Sequence, residues 1–180
     1  MARHTAFEIL YQEYYVRVFG LCRRLLSSAE LAEDATQETF VRAYKNFAKF
    51  DAKKPFWQWI AAIANNHCID VLRRRDNNDN LFGSESDELA AIADEGADIG
   101  ASLTASEDAQ AVNHAIEQLP DRYRVPLVLA YFNELSYAQI AEHLEIEKSH
   151  VGVLLLRAKK QLRQMLSSPK AASSEIGAAS

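Results

Sequence analysis

The sequence predicts an all-α chain of two small helical domains joined by an acidic flexible linker. Three observations carry this. Apolar residues recur at three and four over most of the chain, the period of a helix with one buried face. The composition is 48% hydrophobic and 25% charged with only six Gly and four Pro, too few turn formers for many-stranded β-structure. Charge is partitioned: residues 1–75 hold 12 Lys/Arg against 8 Asp/Glu, residues 76–118 hold none against 11, and residues 119–180 hold 8 against 6. Two basic blocks around a purely acidic segment read as domains on a self-repelling tether, so a net charge of -5 does not exclude nucleic acid.

Helix one runs from Thr5 to Leu26, with Phe7, Leu10, Tyr14, Val18, Leu21 and Leu25 on its apolar side. Ser27 and Ser28 interrupt it. A second helix covers Ala29–Phe47 and turns Ala32, Thr36, Phe40 and Ala43 inward, which leaves Asp34, Gln37, Glu38 and Val41 on the other side. The stretch containing Asp51 and Pro55 loses the period and is a loop. A third helix follows near Phe56–Arg75, with Ile60, Ile63, Ala64, His67 and Val71 inward and Asn66, Asp70, Arg73 and Arg74 outward.

Residues 76–106 are the linker, too sparsely apolar to repay chain entropy, with a short helix at Asp87–Ala93. A helix Glu107–Gln118 precedes another that Pro120 opens and that runs through Phe132, where Pro126 permits a kink. Ser136 and Gln139 form a capping box ahead of a helix Tyr137–Leu144. Lys148–Leu166 is the last helix, and residues 167–180 are a disordered tail.

The two final helices, separated by Glu145–Glu147, have the grammar of a helix-turn-helix. Val151, Leu155, Ala158 and Leu162 turn inward on the second of them, so that Ser149, His150, Gly152, Val153, Leu156, Arg157 and Lys160 face out toward a major groove. In the first domain, Phe50 lies beside Lys53 and Lys54 in the loop; aromatic faces stack on unpaired bases while ammonium groups hold phosphates. Phe56 and Trp59 are assigned to the core by their helical spacing.

The segments EDATQETFVRAYKNFAKFD and PFWQWIAAIANNHCIDVLRRR together resemble region 2 of the extracytoplasmic-function (ECF) sigma factors, and LPDRYRVPLVLAYFNELSYAQIAEHLEI with RAKKQL is similar to their region 4. The resemblance implies an initiation subunit that binds core RNA polymerase, directs it to promoter DNA and assists melting, with an anti-sigma factor or other protein regulator as a further partner. It implies that Asp34, Gln37, Glu38 and Val41 dock on the polymerase. Phe50, Lys53, Lys54, Asn66, Asp70, Arg73 and Arg74 would then meet the minus-ten element, and Lys148, Ser149, His150, Arg157, Lys159 and Lys160 the upstream element. Asn66, Asp70 and Arg73, at spacings of four and three, share one helix face.

This chain departs from the family at His150, Gly152 and Leu154, where a Thr and two basic residues are usual, at Glu145, where a turn Gly is usual, and at Asn65, often basic. The upstream element is therefore expected to be read with low selectivity, chiefly through phosphates.

Two other classes account for less of the chain. An enzyme would recruit Asp34, Glu38 and His67, but His67 lies on the inward stripe and no phosphate loop or nucleophile motif accompanies them, so no enzyme, metal or cofactor is expected. A helix-turn-helix regulator with an N-terminal sensing or dimerisation domain would share the C-terminal half alone. With no run of about 18 apolar residues and no signal-peptide pattern, a cytoplasmic protein without a membrane span is expected. Cys22 and Cys68 have no metal or disulfide spacing and are expected to be reduced core thiols.

Overall fold

A computed structural model of the chain describes residues 2–83 and 106–167, all of whose regular structure is helical. Helices α1 (Ala2–Leu26), α2 (Ala29–Asn46) and α3 (Phe56–Arg75) pack mutually into a three-helix unit. Helices α4 (Ser106–Gln118), α5 (Asp121–Tyr131), α6 (Tyr137–Leu144) and α7 (Lys148–Ser167) form a second unit in which α4, α5 and α6 all lie against α7. No helix among the described residues is long and apolar enough to cross a membrane.

Local chemistry explains the boundaries. Ser27 takes a left-handed backbone (φ 54°) that stops α1, and the Ser28 hydroxyl accepts the amide of Leu31 to start α2. A 3-10 turn over Phe47–Lys49 follows α2. In the next loop the Asp51 carboxylate accepts the Lys53 amide (3.0 Å) and Pro55 leads into α3. Pro126 lies buried inside α5, which continues through it. Ser136 and Gln139 cap α6 reciprocally, and Glu145 ends it in the left-handed region (φ 57°) that the usual Gly would occupy freely.

The two units are packed together, and this corrects part of the sequence reading. α1 contacts α4 and α5, and α3 contacts α5 and α6. α3 is therefore buried on a second side, with Asn65, Ile69 and Leu72 inside as well as the expected Ile60, Ala64 and His67, while Cys68 lies against Cys22 of α1 and Ile63 and Val71 are only half-buried. The beginning of the expected linker is also structured: Asn77 (φ 46°) turns the chain back and Phe82 is fully buried. One apolar pair, Leu81–Phe82, is too short to alter the average polarity of its surroundings, yet a single buried aromatic fixes a segment. The helix expected at Asp87–Ala93, most of the acidic linker and the C-terminal tail lie outside the described residues.

Candidate partner and nucleic-acid interfaces

On α2, Asp34, Gln37 and Val41 are exposed and Glu38 is half-exposed, all opposite the buried Ala32, Ala35, Thr36, Thr39, Phe40 and Ala43. Arg42 Nε donates to Glu38 Oε1 at 2.6 Å, one turn away, and holds that carboxyl below its usual range. Buried Thr36 and Thr39 donate to Ala32 and Ala35 carbonyls, so the helix satisfies its inward hydroxyls itself. The surface offers acid, amide and an exposed Val, which suits a basic helical partner with an apolar seam.

The loop between α2 and α3 is shaped by aromatics. Phe50 is half-buried, its ring 5.0 Å from Trp59, 5.5 Å edge-on to Phe56 and stacked 6.0 Å from Phe47. Lys53 and Lys54 are exposed beside it. Arg17 lies 3.8 Å over the Trp57 ring and ties the start of α3 to α1. An aromatic floor with a partly open ring and two exposed cations can take an unstacked base and its phosphate.

Along α3, Asn66 and Arg74 are exposed, while Asp70 and Arg73 are half-buried. His67 is buried between this face and α2; burial, then the Arg42 charge, lowers its pKa, so it is a neutral core imidazole there. The side chains of Asn66, Asp70 and Arg73 form one wall of a cavity of about 500 Å³ whose other wall is α6, with Gln139, Glu142 and His143.

In the helix-turn-helix, Lys148, Ser149 and Lys160 are exposed, and His150 and Arg157 are half-buried. Three expectations need correction. Lys159, expected to reach phosphates, is 5% exposed with its ammonium 5.6 Å over the Tyr131 ring. Leu154, at a position expected to contact bases, is wholly buried because α7 is covered by α4 and α5 as well as α6. Val153 and Leu156, expected to face outward, are half-buried. Gly152 remains open: an added Cβ would meet only the Tyr137 ring, at 3.8 Å.

The sequence reading missed the residues between the units. Arg124, 3% exposed, donates to Leu25 O (3.1 and 3.3 Å) and Leu119 O (2.7 Å) and pairs with Asp121, which also pairs with Arg75. Ser27 Oγ donates to Glu117 O (3.1 Å), and Arg23 lies 3.4 Å from the Glu117 carboxylate. Asn133 Nδ2 donates to Oδ1 of the buried Asn65 (2.8 Å), which gives a structural reason for an amide where the family often has a basic group. Its one sequence signal was that departure from the pattern. Cys22 and Cys68 are free and buried. No group of three or more His, Cys, Asp or Glu among the described residues is arranged to hold a metal ion.

Comparison with known proteins gives two family matches: Sigma-70 region 2 over residues 10–78 and Sigma-70 region 4 over residues 109–162. The chain is 32% identical over 166 residues to the ECF RNA polymerase sigma factor SigW of Bacillus subtilis (strain 168), covering 89% of each chain. Among solved structures it is similar to the sigma factor RpoE in complex with the anti-sigma factor NepR from Bartonella quintana (TM-score 0.60, 20% identity, 92% of this chain and 99% of that one). It is also similar to CnrH in complex with the cytosolic domain of CnrY (TM-score 0.54, 22% identity, 92% and 90%). Region 2 in the N-terminal half decides against a helix-turn-helix regulator with a sensing domain.

Proposed function

The chain belongs to the ECF RNA polymerase sigma factors, and from that premise we propose how its surfaces divide the work of initiation. It binds core RNA polymerase and directs it to promoter DNA. In our reading Asp34, Gln37, Glu38 and Val41 make the polymerase contact. The observation that carries this is the outward side of α2, where acid, amide and exposed valine lie together with no other helix over them among the described residues.

Phe50, Lys53 and Lys54 take a base and its phosphate from the opened minus-ten strand, and Asn66, Asp70, Arg73 and Arg74 line its path along α3. A flipped base costs a few kcal/mol of unstacking, which stacking and charge-assisted contacts offset. Lys148, Ser149, His150, Arg157 and Lys160 of the second domain meet the upstream element, largely through phosphates, whose contribution weakens with salt. The work is binding and strand separation, without catalysis by this chain, and its place is the cytoplasm. Solved relatives captured with anti-sigma factors support a protein antagonist of the same kind here.

The test is reconstitution with core polymerase. Asp34→Lys with Glu38→Lys should weaken co-elution at least about 30-fold, the cost of losing roughly 2 kcal/mol of interface hot spot, and abolish run-off transcription. Undiminished co-elution would remove the α2 assignment.

A further inference from the structure

The chain's two cysteines meet in the core of the first unit. Cys22 comes from the last turns of α1 and Cys68 from the second half of α3, and both are wholly buried. α3 turns Ala61, Ala64 and Cys68 inward at helical spacing, small side chains that let it lie close to a neighbouring helix. The Cys68 S–H donates to the Cys22 sulfur, and the Thr36 hydroxyl of α2 lies against that same sulfur. The donated bond holds the Cys22 thiol below its ordinary range, while that bond and then burial push the Cys68 thiol up. One sulfur is thus poised as a nucleophile and the other keeps its proton. Neither has a part in the polymerase or DNA contacts proposed above.

We propose that Cys22 and Cys68 are a peroxide-responsive pair, closing to a disulfide that lowers promoter opening. The Cys22 thiolate attacks one oxygen of hydrogen peroxide and the O–O bond breaks, which leaves a sulfenic acid on Cys22 and hydroxide, neutralised by the proton Cys22 had released. Cys68 then attacks the Cys22 sulfur, the S–O bond breaks, and the Cys68 proton departs with that oxygen as water. Two thiols are oxidised to one disulfide and the peroxide is reduced to two waters. Reaching buried sulfurs takes a local opening. The flanking residues favour it: Arg23 Nη1, Arg24 Nε and His67 Nδ1 are buried without hydrogen-bond partners, and such atoms draw water-sized molecules into a core. A disulfide is shorter than an S–H···S contact, so α1 and α3 are drawn together and Cys68 carries its neighbours Asn66 and Asp70 with it. The outward side of α2 holds neither sulfur, so polymerase docking survives. The functional half of this inference rests on the assignment of α3 to the minus-ten element; the chemical half does not.

Two measurements on the full chain test this. After treatment with hydrogen peroxide and alkylation of the remaining thiols, non-reducing peptide mapping should recover Cys22 joined to Cys68, both thiols lost together and both returned by dithiothreitol. Dimedone, which traps sulfenic acids, should label Cys22 at least about tenfold more in Cys68→Ala, which lacks the resolving thiol, than in the parent. Both thiols retained in peroxide that fully oxidises free cysteine would overturn the proposal, as would dimers linked between chains or equal labelling of parent and variant. If Cys68→Ala does not fold, the parent's peptide map decides alone.

The second measurement reads initiation. Oxidised parent, freed of peroxide before mixing, should co-elute with core polymerase as the reduced protein does but give at least about tenfold less run-off product, restored by dithiothreitol. Cys22→Ala, with no bond to form, should transcribe alike before and after peroxide. Equal product from oxidised and reduced parent refutes the switch. If the reduced parent neither co-eluted nor transcribed, the assignment of the α2 and α3 surfaces would have failed instead, and the peptide map would still decide whether the two sulfurs join.

Discussion

Glu145 shows how one residue can be held against its preference. Its φ of 57° lies where a Cβ crowds the backbone, at about 1 kcal/mol relative to Gly, and its carboxylate pairs with Arg73 from a 76% exposed position. Such a pair contributes less than about 1 kcal/mol, so strain and attraction nearly balance for folding. Glu145→Gly should raise stability by about 0.5–1 kcal/mol and the melting temperature by roughly 2–4 °C, read by circular dichroism. An unchanged or lower midpoint would mean that the Arg73 contact outweighs the strain. His67 carries the pH dependence. Burial lowers its pKa from 6.5 in the folded state, with the Arg42 charge adding to it, so the folded form resists protonation that the unfolded form accepts. Its contribution is fully present above 6.5 and is lost as pH falls through the lowered folded value; His143, lowered by burial, acts in the same sense. Urea midpoints should therefore decline from neutral to mildly acidic pH. His67→Asn should flatten that decline, and an equal slope in the variant would assign the dependence elsewhere.

At the scale of elements, α6 is the most dependent on its ends. Eight residues are too few for a helix to persist by propensity, and what holds it is the Ser136–Gln139 box, the buried Ile140 and Leu144, and α7 beneath. Ser136→Ala should cost about 1 kcal/mol and speed amide exchange in α6 ahead of α5 and α7; uniform change across all three would mean the cap is redundant. The same cap made α6 legible in the sequence, which predicts Tyr137–Leu144, the span observed. α3 is legible for a similar reason, since Pro55 fixes its start and Arg73–Arg75 crowd its end. The outward placement of Asp34, Gln37 and Val41 follows from period alone. What period could not supply is the second buried side of α3, because Asn65 and Arg73 meet residues some 70 positions later. The burial of Leu154 and Lys159 was hidden similarly: α7 is covered by α4 and α5 as well as α6, which leaves an outward side narrower than the period of one buried stripe suggests. Phe82 was lost in its polar surroundings.

For the whole molecule, the question is whether the two units fold as one. Arg124 is the test residue, buried in the second unit yet donating twice to Leu25, whose carbonyl ends α1 in the first. The last carbonyls of a helix have no partner within it, so this guanidinium satisfies an acceptor that would otherwise be buried unpaired. Around it stand Ser27 on Glu117, Arg23 with Glu117, and Arg75 sharing Asp121 with Arg124. Removing one member of a buried charge pair typically costs about 3–5 kcal/mol because its partner is left uncompensated. With so much of the α1 terminus satisfied from across the boundary, the parent should unfold in a single calorimetric transition with equal calorimetric and van't Hoff enthalpies. Arg124→Met keeps the apolar stem but removes every donor, and it should split the transition in two, the second unit melting first because Asp121 and the Leu119 carbonyl lie on its side. Two transitions already present in the parent would show that the boundary carries little of the stability.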